Sequence, residues 1–260
     1  MQKNILVVDD SALMRRVFCD IIGSDERFRV ADMASNGRDA LELMEKNTYD
    51  AVILDLVMPK MSGIETLREM QKRNLHPRVL INSTIAKRDA AETMEALQLG
   101  AIDFIRKPTG FQALNSSDFR KRFLDVLAAV AKAGEGAHER HVTPQLRSPV
   151  HAMGHGKNKL LAIASSTGGP KALHEVIPLL PKDLDAPVVL VQHMPAGFTK
   201  TLAERLDQMS NLKVVEAAEG MKLEKGCVYI AQGGLHMMVT KRSGAHVITY
   251  KDGPTREGVK

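Results

Sequence analysis

At 260 residues, 44% hydrophobic and 26% charged, the chain exceeds one typical domain and suits two compact ones. Its net charge of +5 is a mild, scattered surplus, and with no Trp and three Tyr it offers little to stack on bases, which argues against nucleic-acid binding. No apolar run approaches the ~18 residues of a membrane span. The start MQKNILVVDD also lacks a signal-peptide layout, so the expected location is cytoplasmic, without membrane insertion.

Residues 1–130 alternate apolar runs (Ile5–Val8, Val30–Met33, Ala51–Leu54, Val79–Ile81, Ile102–Ile105) with amphipathic helical patterns (Ala12–Ile22, Gly37–Glu45, Ile64–Gln71, Ala90–Leu97, Asp118–Val130). Five strands alternating with five helices predict a doubly wound α/β domain, its parallel five-stranded sheet covered on both faces. Such sheets place ligand sites outside the carboxyl ends of their strands. Residues 131–158 are rich in Gly, Pro and His without sustained period and read as a linker. The irregular spacing of His138, His141, His151 and His155 favours solvated side chains over a metal site. From 159 to 260 the α/β alternation resumes. Strands are expected at Leu160–Ala164, Val188–Val191, Leu212–Glu216, Cys227–Ala231, His236–Thr240 and His246–Tyr250, with helices at Lys171–Leu180 and Thr199–Met209. Cys19 and Cys227 fit neither a disulfide framework nor a zinc site and read as small packed fillers.

Chemistry collects where strands end. Asp9 and Asp10 close the first strand, Asp55 the third, and Lys107 follows the fifth. Converging carboxylates repel one another unless a hard dication resolves the conflict; Mg2+, bound by a few carboxylates with phosphate and water, fits. An ammonium beside them can contact phosphoryl oxygens, and Asp55 then becomes a phosphoacceptor. The competing reading, in which Asp10 or Ser11 merely caps the following helix, explains one acid and not the set.

The stretches ILVVDDSALMRR, DAVILDLVMPKMSGIE, VLINST and GAIDFIRKP resemble the receiver domain of bacterial response regulators. The resemblance implies phosphorylation of Asp55 and metal ligation by Asp10, Asp55 and the backbone carbonyl of Val57, with Asp9 supporting. It implies phosphoryl contact by Lys107 and a switch hydroxyl at Ser83, with Asn82 the alternative if the loop slips by one. Val57 stands where this family often has a carboxylate or amide, so dephosphorylation is expected to differ.

Downstream, Leu160–Gly169 ends in Ser165-Ser166-Thr167-Gly168-Gly169 and is followed by Pro170 and a helical pattern. A serine between a strand end and a helix start sits beside backbone N–H groups able to stabilise an oxyanion. The next strand ends in Val191-Gln192-His193, which brings a base to the same sheet edge. By spacing alone, a phosphate cradle with an ordinary strand-end histidine is an equally open reading, and Gly-x-Ser-x-Gly is absent.

AIASSTGGPKAL, QHMPAGFTKTLAERL and CVYIAQGGLHMMV resemble successive segments of the chemotaxis protein-glutamate methylesterases, the CheB family. That resemblance implies Ser166 as nucleophile and His193 as base, in a serine hydrolase needing no cofactor of its own. It further implies hydrolysis of glutamate methyl esters and deamidation of glutamines on methyl-accepting chemoreceptors, with a chemotaxis sensor histidine kinase as phosphodonor. Ser165 is the competing nucleophile, since the family usually has Gly-Ala where Ala164-Ser165 stands. Gln232-Gly233-Gly234 replaces a usual Pro-Gly-Asp. The family's TGMGxDG segment, which holds the triad acid, has no counterpart before Lys260, so the domain is expected to lack its C-terminal part and to expose apolar sheet edges. Asp252 and Glu219 are candidate acids without motif support. The alternative function is a phosphoacceptor regulator with an inert second half. A DNA-binding regulator would need an all-helical C-terminal module, against which the strands argue.

Overall fold

The structure, a computed structural model, describes residues 2–83, 87–108, 110–114, 116–133, 159–251 and 253. The expected linker beyond Ala133, its four histidines and Asp252 lie outside the described residues.

Strands β1 (Lys3–Val8), β2 (Phe28–Ala34), β3 (Ala51–Asp55), β4 (Val79–Ser83) and β5 (Asp103–Arg106) form one parallel sheet in the order β2-β1-β3-β4-β5. Between and after them run α1 (Ala12–Gly23), α2 (Gly37–Lys46), α3 (Gly63–Lys72), α4 (Lys87–Gln98), the short α5 (Phe111–Leu114) and α6 (Ser117–Lys132). Successive strand residues face opposite sides, so each apolar run feeds two cores. Ile5, Val7, Ile53 and Leu80 pack with Phe18, Ile21, Phe123 and Leu127 of α1 and α6, where Phe18 and Phe123 stack at 5.1 Å. Leu6, Val8, Val52, Leu54 and Ile81 pack on the other side with Leu41, Leu67 and Met94 of α2, α3 and α4.

Past the linker come β6 (Leu161–Ser165), α7 (Gly169–Val176), β7 (Val188–Gln192), α8 (Phe198–Met209), β8 (Lys213–Glu216), β9 (Cys227–Ile230), β10 (His236–Arg242) and β11 (Ala245–Lys251). The first four of these strands make a second parallel sheet, β6-β7-β9-β8. The expected helix over Lys171–Leu180 is shorter in the structure. Pro178 lacks an amide proton, and the last turn becomes a 3-10 segment at Ile177–Leu179. β10 and β11 do not join the sheet. They pair with each other across Ser243 (φ 49°) and Gly244 (φ 81°), two left-handed residues that make a tight hairpin turn. Among the described residues β6 is an edge strand, and its Ala162 and Ala164 are exposed.

The two sheets share a core. The cluster containing Leu97 and Phe104 continues into Leu173, Leu190, Met194 and Phe198, and the Phe104 and Phe198 rings stack at 4.9 Å. α4 packs against both α7 and α8. The α4–β5 side of the first domain therefore lies over the strand ends of the second. Both cysteines are free, Cys227 buried and Cys19 half-buried against Met33, in keeping with packing roles.

Candidate functional site

The first site is built by the ends of β1, β3, β4 and β5. Ser11 caps α1 by accepting from the Met14 amide, which leaves both preceding acids to the strand end. Asp9, Asp10 and Asp55 bring carboxylate oxygens within 4.8 Å of one another. Lys107 Nζ donates to Asp55 Oδ2 at 2.6 Å and to Asp9 Oδ2 at 2.9 Å. Asp55 is buried, and burial pushes its carboxyl up to about 6; the Lys107 ammonium opposes this and the Asp9 charge adds to it. Burial pulls Lys107 down, but Asp55 and Asp9 more than offset it, so its pKa stands raised. The pocket holds more negative charge than one lysine satisfies. Gly63 must be glycine here, because a Cβ would come within 2.3 Å of the Asp55 carbonyl oxygen.

Asn82 and Ser83 both lie at the end of β4. In the β3–β4 register Asp55 stands beside Asn82, so Asn82 shares its face. Asn82 Nδ2 donates to Asp9 Oδ2 at 3.3 Å, while its Oδ1 is buried without a partner. Ser83, the next residue, accepts at its hydroxyl from Thr93 of α4 at 3.0 Å. Val57 is 62% exposed, and its amide lies 3.5 Å from Asp55 Oδ1.

The three clustered carboxylates and the orphaned Asn82 oxygen are a hard, all-oxygen donor set of the kind Mg2+ takes, so the residues present fit that ion.

The second site lies at the ends of β6 and β7. Ser165 pairs with Gln192, and the next residues on each strand are Ser166 and His193; both line a cleft of about 710 Å³ with Thr167, Pro195, Asp103, Phe104, Phe119 and Arg122 among its walls. The structure separates the two adjacent hydroxyls. Ser165 Oγ donates to Gln192 Oε1 at 2.6 Å, while Ser166 is exposed in the cleft. Gln192, a polar side chain only 4% exposed, also donates from Nε2 to the carbonyls of Ser166 (3.0 Å) and His193 (3.3 Å). It thus ties together the two turns that carry Ser166 and His193. Gly169 makes room for it, since a Cβ there would lie 2.0 Å from Gln192 Oε1.

Burial lowers the pKa of His193, and the nearby Arg122 charge lowers it further, which favours the neutral imidazole. No hydrogen bond joins Ser166 to His193, and no carboxylate is bonded to the imidazole, among the described residues. Glu219, one of the two acids considered for that role, instead accepts from the Tyr250 amide at 2.6 Å on the hairpin. In Gln232–Gly234 the middle glycine, the one shared with the usual Pro-Gly-Asp, has a packing reason. A Cβ at Gly233 would come within 2.6 Å of the Met194 carbonyl, so the loop rests directly on the backbone after His193.

Sequence reasoning missed Gln192, Asp103 and Arg122. The only signal for the first two was a polar residue beside an apolar strand run, in VVLVQH and IDFI. Arg122 carried none, because its approach to the cleft comes from packing between domains.

Residues 161–259 match the family model described as CheB methylesterase, and residues 5–117 the one described as response regulator receiver domain. The chain is similar to Protein-glutamate methylesterase/protein-glutamine glutaminase 1 of Syntrophomonas wolfei, with 41% identity over 247 residues, 93% of this chain and 69% of that one. It is equally similar to the protein-glutamate methylesterase/protein-glutamine glutaminase of Pyrococcus horikoshii, at 41% identity over 261 residues, 98% of this chain and 70% of that one. The solved Thermotoga maritima CheB methylesterase catalytic domain is 45% identical, covering 40% of this chain and 55% of that one, with a TM-score of 0.39. With a receiver-type acid pocket and a Ser–His cleft in one chain, and identity of this extent across both, the protein belongs to the CheB family of methylesterases with an N-terminal receiver domain.

Proposed function

We propose that this chain is a chemotaxis response regulator in which phosphorylation of Asp55 activates hydrolysis of glutamate methyl esters, and deamidation of glutamines, on chemoreceptors. The observation that carries the reading is the direct seating of the receiver on the Ser166–His193 cleft, with Asp103 accepting from the Gly168 amide at 3.2 Å. On this reading residues 1–130 are the receiver, 131–158 the linker, and 159–260 the methylesterase part. A sensor histidine kinase is the phosphodonor, and the cytoplasm is the site of action. Among the described residues no helix is long and apolar enough to cross a membrane.

Asp10, Asp55 and the Val57 carbonyl would hold Mg2+, with Asp9 supporting. When bound, the ion neutralises charge on the incoming phosphoryl group. An Asp55 carboxylate oxygen attacks the donor phosphorus, and the bond from phosphorus to the donor histidine nitrogen breaks. Lys107, already 2.6 Å from Asp55, holds a phosphoryl oxygen, and Ser83 at the end of β4 is the switch hydroxyl. In the second domain Ser166 Oγ attacks the ester carbonyl while neutral His193 takes the hydroxyl proton. The tetrahedral intermediate collapses to an acyl-serine as His193 returns that proton to methanol. Water, giving a proton to His193, then attacks the acyl carbon; the bond to Ser166 Oγ breaks, Oγ takes the proton back from His193, and the glutamate carboxylate leaves.

The test is methanol release from a methyl-esterified receptor fragment, with and without a small phosphodonor and Mg2+. Phosphodonor-dependent release is expected. Phosphoryl uptake with methanol at background would favour the alternative, an inert second half.

The lowered pKa of His193 makes a further prediction. The base acts in its neutral form, present above its pKa, so activity falls on the acid side. Removing the Arg122 charge in Arg122→Gln takes away one of the two influences that lower that pKa. The acid limb of kcat/KM, measured on the phosphorylated protein, is expected to move to higher pH.

A further inference from the structure

We infer that the Thr167–Gly168 turn is the seat for the carboxylate that the reaction generates, and that Asp103 of the receiver occupies it as an intramolecular mimic of the product. The inference rests on the proposed ester hydrolysis and names the group that the active site binds. Asp103 is 8% exposed. Its Oδ1 accepts from the Phe104 amide at 2.8 Å, while Oδ2 crosses to the other domain and accepts from the Gly168 amide at 3.2 Å. Thr167, the residue before Gly168, lies near enough to the same carboxylate to lower its pKa.

These donors are where acyl transfer needs them. Thr167 and Gly168 directly follow Ser166, and Gly168 (φ 73°) is the N-cap of α7 without any side-chain cap of its own. The turn therefore presents an amide and a hydroxyl at the positive end of a helix, beside the nucleophile. The group found there is a carboxylate on a short aliphatic stem, one methylene shorter than the glutamate the reaction releases.

Stability of the interface does not account for this acid. Buried charge disfavours packing unless it is well paired. The titratable groups that line the cleft with Asp103 are Asp118, Lys121, Arg122 and Asp125 of α6, of which Arg122 acts on it through space, and His193 across the cleft, its pKa lowered; no ion pair to Asp103 exists among the described residues. Burial pushes Asp103 up to about 6, only partly opposed by the Phe104 and Gly168 amides, Thr167 and Arg122. The closed arrangement thus binds the Asp103 proton more tightly than an open, solvated one. Acid favours closure, and the contact loosens as pH rises through about 6.

The experiment uses the full chain, with the Gly168 amide resonance and methanol release as separate readouts and acetate as the probe. In Asp103→Ala the Gly168 resonance should shift, and saturating acetate should return it towards its wild-type position. Methanol release without phosphodonor should rise roughly tenfold, the scale of one lost charge-assisted hydrogen bond, and acetate should inhibit it competitively. Asp103→Asn keeps the shape and one acceptor oxygen. Its Gly168 resonance should lose the pH dependence near 6 that wild type shows, which tests the contact even if the alanine variant folds poorly. A Gly168 resonance indifferent to acetate in Asp103→Ala overturns the seat. Unchanged basal release, in a protein that phosphodonor does activate, overturns the mimicry. If acetate moves Gly168 while no condition releases methanol, the seat stands and the proposed hydrolysis fails.

Discussion

Ser166→Ala is expected to lower methyl-ester hydrolysis by about 10⁴-fold or more, with phosphoryl uptake unchanged. The size follows from the division of labour at the β6–β7 ends. On the proposed reading Ser166 is the nucleophile; it is exposed and lines the cleft together with His193. Ser165→Ala is the internal control. Its hydroxyl is committed to Gln192 at 2.6 Å, so its loss should leave hydrolysis within a few fold, at a stability cost of about 1 kcal/mol for one hydrogen bond. Parallel measurement of kcat and of phosphodonor-derived label on each variant checks both. Comparable losses in the two variants would mean that the hydroxyls share the role and that the assignment to Ser166 is wrong.

Asp55→Ala is expected to abolish phosphoryl uptake and, with it, all stimulation by phosphodonor. The chemistry needs a carboxylate oxygen at this place, and neither Asp9 nor Asp10 substitutes. Asp9 is occupied by Lys107, Asn82 and the Ser11 amide, and Asp10 is exposed at the rim. The same substitution should stabilise the fold in metal-free buffer near neutral pH. Burial raises Asp55 from 3.8 to about 6, so its charged form weighs against the folded state above that value. For wild type this site adds stability as pH falls through about 6, and Asp55→Ala should remove that gain. Radiolabel from a small phosphodonor measures the first effect, and melting curves between pH 4 and 8, interpreted against the cited shift, measure the second. Label retained after Asp55→Ala would remove the phosphoacceptor assignment.

The strands were legible because both parallel sheets draw on short continuous apolar runs, and the helices because their buried residues recur at helical spacing, as in Val17, Phe18, Ile21 and Ile22. Strand ends then put Asp9, Asp10, Asp55 and Lys107 on one rim, and Ser166 and His193 on another, since in a parallel sheet every carboxyl end points the same way. That much the order of residues determined by itself. It did not determine which of two neighbours faces a pocket. Asn82 and Ser83 would exchange faces with a one-residue change of register, and only the pairing of Asp55 with Asn82 brings the Asn82 amide to Asp9. Likewise Ser165 and Ser166 look equivalent in the chain, and only the Gln192 side chain, reaching across from the next strand, takes one of them out of contention. Asp103 and Arg122 lie in the first domain but act on the second, across contacts separated by 65 residues in the case of Asp103 and Gly168. A side chain's role across an interface depends on how two surfaces dock, and no local period or motif encodes that. The tertiary structure alone placed a receiver carboxylate on the donors beside the nucleophile.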